Sequence, residues 1–205
     1  MEIIDLTQTI INDMQVYPGD NPPRLSQSHT IEGNSYTNHK LTFGMHAGTH
    51  IDGPWHMVDP KRFISEMPLE CFVGKACIID IQNVRIFSDT QLVKEKSKDC
   101  SIILFHTGFG KFFGSDKSLS GYPIIDNNVA QLIADLKIKL IGIDSFSPDI
   151  TPYPVHKTLL QSGVLIAENL TNLHLLLNKG KFEVIALPLK IEADSAPARI
   201  IAIIQ

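Results

Sequence analysis

Apolar and polar positions along the chain fall into short blocks whose period changes several times. Residues 3–6 read as an opening strand. A loop-rich stretch follows, with turns at Tyr17-Pro18-Gly19-Asp20 and Asn21-Pro22-Pro23. Continuous apolar runs at 76–81, 101–105, 140–143 and 164–167 predict buried parallel strands. One helix is well marked: Asp126 can cap it, and Val129, Leu132, Ile133 and Leu136 fall at i, i+3, i+4 and i+7 on one face. Shorter helices are expected at 89–95, 154–160 and 171–177, the last stopped at Gly180. Two closing strands, 183–191 and 198–204, are joined by a polar turn through Asp194-Ser195. These elements predict a mixed α/β domain with parallel and antiparallel pairing. No repeat, low-complexity tract or linker divides residues 1–205, so one domain is expected.

Residues 38–45 alternate, with Leu41, Phe43 and Met45 on one parity, which predicts a half-buried strand whose apolar face meets the core. Carried forward, the other parity collects His46, Gly48, His50, Asp52, Pro54 and His56. A helix would also put His46 and His50 on one face, but Gly48, Gly53 and Pro54 oppose it, at about 1 kcal/mol per interior Gly and about 3 for Pro. A flat strand fails too. At ~3.3 Å per residue it would hold His46 and Asp52 ~20 Å apart, whereas ligands of one ion lie within ~4 Å of each other. The segment is therefore expected to curl, with Gly48 and Gly53 supplying the bend and Gly48 leaving room for an ion between His46 and His50. The pattern predicts a metal-binding strand-to-loop turn. Imidazole and carboxylate without thiolate suit a divalent ion such as Zn²⁺ or Mn²⁺.

Composition narrows the partners. Lys and Arg number 18 against 22 Asp and Glu, a net charge of −4, which argues against a nucleic-acid binder resting on a basic face. Hydrophobic residues reach 43%, enough to offset chain entropy. Apolar runs such as 200–204 fall far short of the roughly 20 residues that span a bilayer, and the acidic start lacks a basic leader. Cys71, Cys77 and Cys100 show no CxxC spacing and read as buried, reduced thiols of a cytoplasmic protein.

His46-Ala47-Gly48-Thr49-His50-Ile51-Asp52-Gly53-Pro54-Trp55-His56 resembles, at every fixed position, the HxGTHxDxPxH signature of the cyclase family of metal-dependent hydrolases. Arylformamidases and isatin hydrolases are among its enzymes. The resemblance extends to Tyr17-Pro18-Gly19-Asp20, to Ile141-Gly142-Ile143-Asp144, to Val155-His156 with Glu168-Asn169-Leu170, and to Ser195-Ala196-Pro197-Ala198-Arg199. It implies a swivelling β/β/α fold with mixed parallel and antiparallel sheets. It also implies His46, His50 and Asp52 as ligands of one ion, with Asp52 able to bridge to a second held by His156 and Glu168, so one or two ions per chain. His56 matches the proton donor and acceptor. Family members are usually homodimers or larger, the N-terminal segment helping to build the neighbouring site. Formamidases of the family carry Trp before the Pro-Gly-Asp turn, where this chain has Tyr17; its ring can still stack on an aromatic substrate.

The expected activity is hydrolysis of an amide or lactam carbonyl, arylformamidase-like, on N-formylkynurenine or a related small molecule. Metal-bound hydroxide would attack, with His56 as general acid and base. His56 as a further ligand, a lyase or cyclase on the same site, and a non-catalytic metal binder stay open. His106, at another strand end, is a candidate substrate contact or a structural hydrogen bond. Asp144 could orient a histidine or cap a turn. Trp55 and Phe109 are candidates for a pocket wall or core, His29, His39 and His174 for surface or structural positions, and Arg199 for a solvated or dimer-interface role ahead of contact with a substrate carboxylate.

Overall fold

The computed structural model describes residues 1–59 and 61–204. Its strands are β1 (Glu2–Asp5), β2 (Arg24–His29), β3 (Asn38–Thr42), β4 (His50–Asp52), β5 (Val73–Asp80), β6 (Ile86–Phe87), β7 (Ile102–His106), β8 (Ile124–Ile125), β9 (Leu140–Ile143), β10 (Leu165–Glu168), β11 (Phe182–Pro188) and β12 (Ser195–Ile204). The α-helices are α1 (Ile31–Asn34), α2 (Thr90–Lys96), α3 (Asn127–Asp135) and α4 (Pro154–Gln161). The large sheet runs β1-β12-β11-β5-β7-β9-β10-β4, and β4 pairs again with β12. The strands from β12 round to β4 therefore close into a ring, with β1 on its flank. Pairing is parallel across β5, β7, β9 and β10 and antiparallel elsewhere in the ring.

Period-two alternation divides the strand residues between two cores. Ile51, Ile78, Leu104, Leu140, Leu165, Ala167, Val184, Ala196 and Ile200 form one cluster contributed from all round the ring, which is its interior. The intervening residues, among them Ile79, Ile103, Phe105, Ile141 and Ile166, face outward and pack under Val93 of α2, Val129 and Ile133 of α3, and Val155 and Leu159 of α4. Asp126 caps α3 by accepting from the Asn128 N–H at 2.8 Å, as the sequence predicts.

The closing strand follows the same rule. Ile51 points into the ring, so His50 and Asp52 must point out, on the side covered by α4. Register then sets their neighbours: His50 lies opposite Glu168 on β10, and Asp52 opposite Ser195 on β12.

Three expectations change. The strand at 38–45 ends at Thr42, and β3 is exposed along its whole length with Leu41 at 40% exposure. Among the described residues it pairs with β2 alone, and its side chains are exposed on both faces; alternation gives the period of a strand but not what packs against it. The helix at 171–177 shrinks to a 3₁₀ turn, Leu173–Leu176, because Asn169 and Asn172 both take left-handed backbone (φ +56° and +59°). Of the cysteines only Cys77 is buried, while Cys71 and Cys100 are half-buried, and all three are free thiols.

The two cores make a stability contrast measurable. Ile51→Ala, inside the ring, should lower the unfolding free energy by about 2–5 kcal/mol. Leu69→Ala, at a side chain 70% exposed, should change it by less than about 0.5 kcal/mol. Denaturant unfolding of both variants checks this.

Candidate metal centre

Between β3 and β4 the chain turns through residues 45–49, where Gly48 adopts left-handed backbone at φ +67°. After β4, Pro54 opens a 3₁₀ turn that ends at His56. These two bends draw the segment together: His46 Nδ1 lies 3.0 Å from Asp52 Oδ1, and the His46 ring centroid lies 4.9 Å from that of His50 and 4.2 Å from that of His56. The curl is as expected, but the glycines serve differently. A Cβ on Gly48 would meet the Met14 side chain at 3.2 Å, so its bare side faces packed methionine and makes no room for an ion. Gly53 is extended (φ −91°) and makes no bend. Its N–H donates to the Asp194 carbonyl at 2.9 Å, and a Cβ there would stand 2.6 Å from that oxygen. Gly53 permits a close backbone approach.

The other half of the cluster comes from α4 and the end of β10. Asp149, a residue the sequence analysis did not single out, accepts from the backbone N–H groups of Val155 (2.7 Å) and His156 (3.2 Å) with one oxygen. Its other oxygen takes the His156 Nδ1–H at 2.6 Å. One carboxylate thus caps the helix and orients the ring. The free His156 Nε2 lies 3.2 Å from Glu168 Oε1 and 3.7 Å from Asp52 Oδ2. His50 is oriented likewise: its Nδ1–H donates to the Gly48 carbonyl at 2.9 Å, leaving Nε2 3.4 Å from Asp52 Oδ1 and 3.5 Å from Glu168 Oε2. Each imidazole is held by one nitrogen and presents the other, the arrangement that precedes metal ligation.

Whether an ion suits the site turns on the atoms left without partners. His50 Nε2, Asp52 Oδ2 and Glu168 Oε1 are buried and make no hydrogen bond. An unmet buried polar atom costs ~1–3 kcal/mol, and here three converge. Ligand atoms of His50, Asp52 and Glu168 lie within 4.8 Å of one another, as do those of His46, Asp52 and His56; Asp52 is common to both sets. The donors are nitrogen and carboxylate oxygen only, and a divalent cation fits them.

The charges are strongly coupled. Burial works against the His46 imidazolium, but Asp52 and the hydrogen bonds to Asp194 and Asp52 outweigh it and push His46 up to about 11. His50 is likewise opposed by burial and carried to about 9 by Asp52 and Glu168. His156 is raised well above its ordinary value by Asp149, Asp52 and Glu168, against burial. Asp52, despite complete burial, is held well below the usual carboxylate range by His46, His50 and His156.

A cavity of about 170 Å³ opens over this cluster, lined by His46, His50, His56, His156 and Glu168 together with Tyr17, Met57, Phe146, Tyr153 and Asn169. The Tyr17 and Tyr153 hydroxyls are 3.4 Å apart across it. The structure thus brings together His46, His50, Asp52, His56, His156, Glu168 and Tyr17. It does not bring His106 to the cavity: that ring donates Nδ1–H to Asp80 at 3.1 Å, the structural alternative for this residue. Asp144 accepts from Thr107 and Gly108 and caps the turn after β7. Trp55 packs edge-on against Phe63 under Lys61, and Phe109 against Phe112 and Tyr122. His29 stacks on Tyr36, His39 and His174 are exposed, and Arg199 pairs with Asp5. Asp149 and Tyr153 escaped sequence analysis, and Asn169 and Asp194 entered it only as part of the resemblance and of a polar turn, because an isolated polar residue in a loop has no periodicity to mark it.

Comparison with known proteins places the chain among relatives. The Cyclase family model matches residues 4–150. A protein named kynurenine formamidase from Bacillus thuringiensis (strain Al Hakam) is 32% identical over 204 residues, covering 97% of this chain and 95% of the relative. A solved structure titled as a potential metal-dependent hydrolase with cyclase activity superposes with TM-score 0.80 at 25% identity, covering 100% of this chain and 98% of the other. Isatin hydrolase A from Labrenzia aggregata shares the fold at TM-score 0.87 and 24% identity, covering 99% and 93%. No helix among the described residues is long and apolar enough to cross a membrane.

Because His46 and His50 are raised to about 11 and 9, they carry protons at neutral pH when no ion is bound, and a ligating imidazole must lose one. Adding Zn²⁺ to chelator-treated protein at pH 7 should release a proton from each. Both folded values lie above the unfolded one, so the ion-free ion pairs stabilise the fold below about pH 6.5 and that stability is lost as pH rises through 9 to 11. Proton release should fall over the same window; indicator-dye titration at several pH values measures it.

Proposed function

The chain belongs to the cyclase family of metal-dependent hydrolases, and from that premise we propose that it cleaves the formyl C–N bond of an N-formylated arylamine, kynurenine-like in class, with His56 moving the proton. The observation that carries this reading is the convergence of three unpartnered buried atoms, on His50, Asp52 and Glu168, beneath a cavity bounded by His56 and Tyr17. A closed structural site would satisfy its four ligands and keep no cavity; an open one with an acid–base residue at its edge suits hydrolysis.

As the resemblance implies, His46, His50 and Asp52 would hold one ion and Asp52, His156 and Glu168 a second. The two clusters of ligand atoms within 4.8 Å, one of His46, Asp52 and His56 and the other of His50, Asp52 and Glu168, cut across that division and share Asp52. Zn²⁺ or Mn²⁺ suits these donors. A bound divalent ion supplies two things to hydrolysis, a lowered water pKa and polarisation of a carbonyl oxygen. The protein's own part is to place and move protons. His56 takes the proton of the attacking water on an imidazole nitrogen and returns it to the leaving nitrogen, so that an arylamine departs neutral. Tyr17 and Phe146 line the cavity where an aromatic substrate would sit, and Tyr153, hydrogen-bonded to Tyr17, steadies that wall. Three free thiols accord with a cytoplasmic setting. The uncovered β2–β3 hairpin, which exposes Leu25 and Leu41 with Tyr36 between its strands, accords with a homodimer. Pairing of β1 with β12 accords with one domain spanning both ends.

An arylformamide incubated with metal-loaded protein in H₂¹⁸O should yield formate carrying solvent oxygen; a product without it would indicate a lyase or cyclase instead. His56→Ala should retain its metal and lose at least about 100-fold in kcat. Undiminished turnover in that variant would remove His56 from the reaction.

A further inference from the structure

Asp194 sits in the turn that leads into β12, and one of its oxygens faces both halves of the chemistry. Oδ2 accepts from His46 Nε2 at 3.0 Å and lies 3.3 Å from His56 Nδ1 and 3.2 Å from the Ser195 hydroxyl oxygen. Ser195 Oγ lies also 3.1 Å from Asp52 Oδ1, and His46 Nδ1 lies 3.0 Å from the same atom. Asp194, His46, Asp52 and Ser195 thus form a closed loop of polar contacts, and His56 joins it at Asp194, with its ring centroid 4.2 Å from that of His46.

We propose that Asp194 is a positioning residue that sets, with one carboxylate oxygen, which nitrogen of His56 moves the proton and which nitrogen of His46 meets the metal. The proposal rests on the role given to His56 above. A ring whose Nδ1 faces a carboxylate oxygen at 3.3 Å favours the proton on that nitrogen and the lone pair on Nε2, so His56 presents Nε2 to the reaction. The same oxygen, accepting Nε2–H from His46, leaves Nδ1 of that ring to face Asp52. A carboxylate behind a ligating imidazole raises its basicity and fixes its plane; sharing that carboxylate with the proton-moving ring ties ligand orientation and proton transfer to one group.

The placement of Asp194 is built into the backbone. Its carbonyl receives the Gly53 N–H at 2.9 Å, and the preceding carbonyl, of Ala193, receives the Ile64 N–H at 2.9 Å. The first contact exists because residue 53 has no side chain, a Cβ there standing 2.6 Å from the Asp194 oxygen. An ordinary surface acid pairing with nearby histidines would need neither anchor. Gly53, three residues before His56, is thus bound up with the orientation of His56.

Ring nitrogen-15 spectra of labelled protein read the tautomers directly, independently of turnover. In wild-type protein the neutral His56 ring should carry its proton on Nδ1, and zinc-loaded His46 should keep its proton on Nε2. Asp194→Asn should convert His56 to a tautomer mixture, weaken zinc binding by about 10–100-fold, and lower kcat at least about 100-fold with KM within about threefold. Gly53→Ala, which displaces the turn while keeping the carboxylate, should shift the His56 spectrum in the same direction. A wild-type His56 protonated on Nε2 would overturn the proposal, as would an Asp194→Asn protein with unchanged tautomers and kcat. Correct tautomers in a protein that hydrolyses no arylformamide would sustain Asp194's role and count against the functional reading alone.

Discussion

Asp52 is shut off from water, and an ionised carboxylate in such a place costs several kcal/mol unless cations or hydrogen-bond donors surround it. The fold supplies three imidazoles for that purpose, on His46, His50 and His156, and the hydroxyl of Ser195. Even so, Asp52 Oδ2 stays without a hydrogen bond. The arrangement is balanced while the imidazoles are charged, and equally while a divalent ion replaces their protons. It is unstable with neither. Neutralising the cluster by mutation at one member therefore leaves the others in debt, the general behaviour of buried ionic groups.

Topology explains why the burden falls on so short a strand. A three-residue strand between two antiparallel neighbours can bury one side chain inward and aim two outward. Closing the ring through β4 sets Glu168 and Ser195 beside His50 and Asp52 by register alone, with no loop to be ordered. For His50, Asp52 and Glu168, ring closure and ligand assembly are the same set of hydrogen bonds, so that part of the centre inherits the rigidity of the sheet.

Much of this was legible in the sequence, and the reasons differ by residue. His46, His50, Asp52 and His56 lie close together in the chain, and the mixture of strand parity with glycine and proline allows few geometries that bring them together. Parallel strands announced themselves as apolar runs. His156 and Glu168 came through the resemblance, since a lone histidine and a lone glutamate carry no signal of their own. Leu41 misled because an alternating strand looks the same whether its apolar face meets a core or solvent. Gly53 was read as a bend because a glycine's demand for space is visible only once the approaching backbone, from residue 194, is known. Asp149 and Asp194 reach their partners across loops whose paths depend on the whole fold.

Asp149 grips the first turn of α4 with one oxygen and the His156 ring with the other. Fraying of that turn and release of the imidazole are consequently a single opening event. Cation occupancy is then recorded in the local dynamics of a helix start, and the exchange lifetime of the Val155 amide becomes a gauge of whether the centre is loaded.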